Sequence, residues 1–68
     1  MTELFPIGIE EQIVCVVREI ALRRRVYPRR VADRKMTQAL ADKQLAAMSA
    51  VLDTLLYLRE SREKEGTL

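Results

Sequence analysis

From Ile9 onward the apolar residues fall at positions 9, 13, 16, 17 and 20, the spacing of a single helix face, and Glu10 and Glu11 stand where the positive end of a helix dipole favours acids. The pattern predicts a first helix over 9–26, ended by Tyr27-Pro28 because proline offers no N–H and its ring crowds the preceding turn. A second periodic stretch has apolar residues at 41, 45, 48, 52 and 55, alternating steps of four and three. It predicts a helix over 38–63, with Thr37 as its N-cap and Gly66 as a terminator. Residues 28–35 between them read as a short turn or helix opened by Pro28, with Val31 facing inward. Residues 1–8 form an extended lead-in, since Phe5 precedes a proline, and Leu4, Phe5 and Ile7 dock as an apolar arm. Residues 64–68 are a frayed tail. The fold class is therefore all-α, one helical domain over 1–68 built as a helical hairpin: helix, short Pro-initiated element, long helix.

The second helix is too long for its own chain to cover. At 1.5 Å per residue it measures roughly 35 to 40 Å, against a radius of gyration near ~11 Å for a compact chain of this size. Leu40, Val51 and Leu58 line one flank of its apolar stripe and Leu45, Leu52 and Leu56 the other. On the first helix Cys15 and Leu22 sit seven residues apart, away from Ile13 and Ile20. Two apolar faces per helix call for two neighbours. The expectation is a homodimer with a four-helix arrangement and with Leu45, Met48, Val51, Leu52 and Leu55 at the oligomer interface. The chain's 68 residues point the same way, because small scaffolds need a disulfide, a metal or a partner chain. Cys15 is the sole cysteine and histidine is absent, which removes an intrachain disulfide and leaves a zinc ion one plausible soft ligand.

A hydrophobic content of 49% with 32% charged residues excludes a disordered chain. No apolar run approaches the ~20 residues of a membrane span, and Met1-Thr2-Glu3-Leu4-Phe5 lacks the basic and apolar regions of a signal peptide. A cytoplasmic location is expected, and it suits a lone reduced cysteine.

Charge alters this picture. Residues 1–17 carry three acids and no base, residues 18–35 carry eight bases against Glu19 and Asp33 for a net of +6, and residues 36–68 come to −1. The basic elbow supplies candidate nucleic-acid-binding residues in Arg23, Arg25, Arg29, Arg30, Arg34 and Lys35, since guanidinium forks match phosphate oxygens and clustered cations release counterions. Helix-dipole stabilisation accounts for Arg23 to Arg25 at the end of a 9–26 helix, but not for Arg29 and Arg30 placed beyond it. An acidic protein partner is the competing reading. Arg24 shares the face of Ile13 and Ile20 and packs by its stem, and the Tyr27 ring anchors the junction. A DNA-reading helix-turn-helix fits poorly, because Pro28 interrupts the turn and the second helix offers base edges only Gln38 and Lys43. Catalysis has no foothold: there is no histidine, no Gly-rich phosphate loop, and no base near Cys15 in sequence. Glu10 with Glu11 reads as a helix start, and Glu60 with Glu63 as a salt-bridge zone with Arg62 and Lys64. No enzyme activity, cofactor, metal or small-molecule substrate is expected.

The run Arg18-Glu19-Ile20, then Arg23 and Arg24, Val26-Tyr27-Pro28, Val31, Met36-Thr37-Gln38 and Ala41, with Leu45 and Met48 after it, resembles a pattern in short phage- and prophage-encoded proteins of unknown function. It spans about half the chain. The resemblance implies a setting among non-enzymatic binders of DNA or of a host protein, and no mechanism.

Overall fold

A computed structural model describes residues 7–66 as two helices, α1 (Ile9–Ala32) and α2 (Gln38–Gly66), packed against each other as a hairpin. The expected docking of Leu4 and Phe5, and the end of the tail at 67–68, lie outside the described residues. α1 opens where the periodicity places it. Gly8 supplies no side-chain cap; its carbonyl accepts the first helical bond from the Gln12 N–H at 3.0 Å, and Gln12 Nε2 donates to the Ile7 carbonyl at 2.8 Å, tying the lead-in to the first turn.

The end of α1 departs from the sequence reading. The helix does not stop at Val26 but runs through Pro28 to Ala32, so 28–35 is no separate element and the turn is the five residues 33–37. Proline removes the bond that residue 28 would give to the Arg24 carbonyl, a penalty of ~3 kcal/mol or more in an isolated helix. Tertiary packing opposes it. Tyr27 and Val31 are half-buried and line a small cavity of about 130 Å³ together with Ala41 and Leu45 of α2, and Val31 takes this place because α1 continues past the proline.

The true stop is a Schellman turn. The Lys35 N–H donates to the Arg30 carbonyl at 2.9 Å and the Arg34 N–H to the Val31 carbonyl at 3.0 Å, with Arg34 in the left-handed region at φ 58°. Glycine usually fills this position, because a Cβ there crowds the following carbonyl. α2 then starts at its expected cap: Thr37 Oγ1 accepts the Leu40 N–H at 3.1 Å and the Thr37 carbonyl accepts the Ala41 N–H at 3.0 Å. It continues to Gly66 rather than 63, with Lys64 in its last turn 3.6 Å from Glu60.

Ile13, Ile20 and Ala41 are the buried apolar residues of the seam. Leu45, Met48, Leu52 and Leu55 are half-buried on the stripe of α2 that continues Ala41. Among the described residues α1 is the element that packs on α2, and of the five residues assigned to an oligomer interface these four are half-buried within the single hairpin while Val51 is exposed. Periodicity alone cannot tell a helix of the same chain from one of another. The hairpin is long and thin, 52 × 22 × 15 Å with a radius of gyration of 15.9 Å.

Candidate nucleic-acid interface

The closed end of the hairpin gathers the last turns of α1, the Schellman turn and the first turn of α2. Arg25, Arg29, Arg30, Arg34 and Lys35 are all exposed there, and none forms an ion pair among the described residues. The first turn of α2 holds no acid, and the nearest downstream carboxylate, Asp42, accepts a hydrogen bond from Gln38 Nε2 at 2.8 Å. The first turn of α2 thus adds no carboxylate beside the five cations, and Asp33, the acid of the turn, forms no ion pair with them.

Arg23 belongs to a different arrangement. Its Nε donates to Glu19 Oε1 at 2.8 Å and its Nη1 to Gln44 Oε1 of α2 at 3.5 Å, tying the two helices together. The hydrogen bond that Arg23 donates to Glu19 raises the guanidinium pKa above its ordinary value, with a smaller opposing effect from desolvation. The structure therefore separates Arg23 from the other five predicted residues. The Glu19 pair is a local signal, four residues back on the same helix, whereas the tie to Gln44, 21 residues away, is not legible locally.

Arg29 and Arg30 need a second correction. They occupy the last turn of α1, so the helix dipole does favour cations at these positions, whereas Arg23 to Arg25 stand well inside the helix. The side chain of Arg24, exposed as a residue, still contributes to the cavity beside Tyr27 and Pro28, in keeping with a stem that packs.

At the open end the charges answer one another. Arg59 Nη1 donates to Glu10 Oε1 across the hairpin at 3.2 Å, and Lys64 pairs with Glu60. Among the described residues no three His, Cys, Asp or Glu side chains cluster so as to hold a metal ion, and no helix is long and apolar enough to cross a membrane.

Fold and charge together define a two-helix hairpin with one basic end. Compared with known proteins, the chain matches no family model, no curated protein and no solved structure.

Proposed function

We propose that the protein is a non-enzymatic, homodimeric accessory protein of the phage or prophage kind, whose closed hairpin end holds nucleic-acid phosphates with little choice of sequence. The observation that supports this reading is the group of five exposed cations, Arg25, Arg29, Arg30, Arg34 and Lys35, without an ion pair among the described residues. Guanidinium groups form paired bonds to phosphate oxygens, and each contact displaces condensed counterions. Direct reading of bases is not part of the proposal, since the exposed end offers cations rather than a row of amide side chains.

The test is binding of random-sequence duplex DNA, followed by fluorescence anisotropy across a salt series. Log affinity should fall linearly with log salt, by about 0.9 per phosphate contacted, so four or five contacts give a slope near −4. Replacing Arg25, Arg29 and Arg30 together by alanine should flatten the slope by roughly 2 to 3 and weaken binding equally for all sequences. Absence of binding at low salt, or an unchanged slope in the triple variant, overturns the proposal.

A further inference from the structure

The outer face of α1 carries a groove of about 830 Å³ in which apolar and charged residues alternate: Ile7, Glu11, Val14, Cys15, Arg18 and Leu22 all line it. Within α1 both Glu11, Val14, Arg18 and Cys15, Arg18, Leu22 follow steps of three and four and so form one stripe, with Ile7 just ahead of the helix at its end. Val51 and Leu55 of α2 close its edge. Ile7, Val14, Leu22 and Val51 are each 45–48% exposed, an unusual state for four large aliphatic side chains in one groove. Glu11 and Arg18, of opposite sign on the same stripe, form no ion pair among the described residues.

The order of these residues reads the same in both directions. A two-fold axis crossing α1 between Val14 and Cys15 would set an antiparallel second copy so that Glu11 lies level with its Arg18, Arg18 with its Glu11, and Ile7 with its Leu22. Apolar residues then meet apolar residues at the centre and at both ends, and Glu11 and Arg18 each meet their opposite in between, while Glu19, which also lines the groove, keeps the ion pair with Arg23 of its own chain. A partner of a single charge sign would satisfy half of this stripe and repel the other half.

The surface area fits the same occupant. The chain exposes 5867 Å². A globular monomer of 7.9 kDa exposes about 4,400 Å². The excess, about 1,500 Å², is more than the ~800 Å² each partner contributes to a standard interface and falls in the range of obligate homodimers. We infer that this groove is the isologous interface of a homodimer, two hairpins meeting antiparallel along α1 through reciprocal Glu11–Arg18 pairs. The inference rests on the dimeric part of the proposed function and not on nucleic-acid binding.

Sedimentation equilibrium of the full chain tests it without reference to DNA. The unaltered protein should be a dimer at micromolar concentration. Glu11→Arg and Arg18→Glu should each raise the dimer Kd by roughly tenfold or more, because each places two like-charge pairs in the interface. An equimolar mixture of the two variants should recover the original Kd, since every pair in the mixed dimer is again opposite in sign, and so should the double variant. Recovery on mixing separates a pairing effect from damage to the fold, which mixing does not repair. A monomeric unaltered protein, single variants that dimerise normally, or a mixture as weak as its components would each overturn the assignment.

Discussion

At the open end of the hairpin Glu10 and Arg59 join α1 to α2 and Glu60 holds Lys64, whereas at the closed end Arg25, Arg29, Arg30, Arg34 and Lys35 form no ion pair among the described residues. The same two helices thus end in different electrostatic conditions, one carrying charges of both signs with ion pairs among them and one carrying exposed cations without such pairs. Exposed ion pairs contribute little to stability, so those at the open end matter chiefly by offsetting charge. An uncompensated group of like charges adds repulsion to the fold and gains from an external anion. That difference is what supports the proposal of an anionic ligand at the closed end.

If the ends differ in charge and not in packing, equivalent core truncations on either side should cost the same. Ile13 lies towards the open end and Ile20 nearer the closed end, and they are 7% and 6% exposed. Ile13→Ala and Ile20→Ala should each destabilise the protein by about 2–5 kcal/mol in urea denaturation at fixed protein concentration, the largest effects expected here. A clear inequality between them would show that one end is also the better packed.

A smaller effect of opposite sign belongs to the closed end. Arg34 holds a left-handed conformation at φ 58° that glycine adopts without steric cost. Arg34→Gly should stabilise the protein by about 0.5–1 kcal/mol, seen as a higher melting temperature, while weakening DNA binding by the loss of one cation. A fall in melting temperature would mean that the arginine side chain supports the turn. The smallest effect is at the open end: Arg59→Ala should cost a few tenths of a kcal/mol, diminishing with added salt, and leave the slope of DNA binding unchanged. A change in that slope would erase the distinction between the ends.

The same two ends show how far the sequence could be read. Both helix starts were legible, because they are written in local chemistry: Glu10 and Glu11 after Gly8, and Thr37 before Gln38. The end of α1 was not. Pro28 is a strong local stop, and it is overruled by contacts of Tyr27 and Val31 with residues of α2. The actual stop carries arginine where glycine would have announced it. For the candidate site, the concentration of positive charge was plain from position alone, but which cations are engaged was not. Arg23 is taken up by Gln44 and Arg59 by Glu10, and such partners become neighbours only when the chain doubles back.

The hairpin geometry also sets an order of assembly. The contact between Arg23 and Gln44 closes a loop of 21 residues, and that between Glu10 and Arg59 closes one of 49. The longer loop costs about 0.7 kcal/mol more closure entropy. Zipping therefore favours a start at the Schellman turn and progress outwards, with contacts of short sequence separation forming before those of long separation. In kinetic terms the basic end acquires its shape first, while the two termini of the hairpin are still apart.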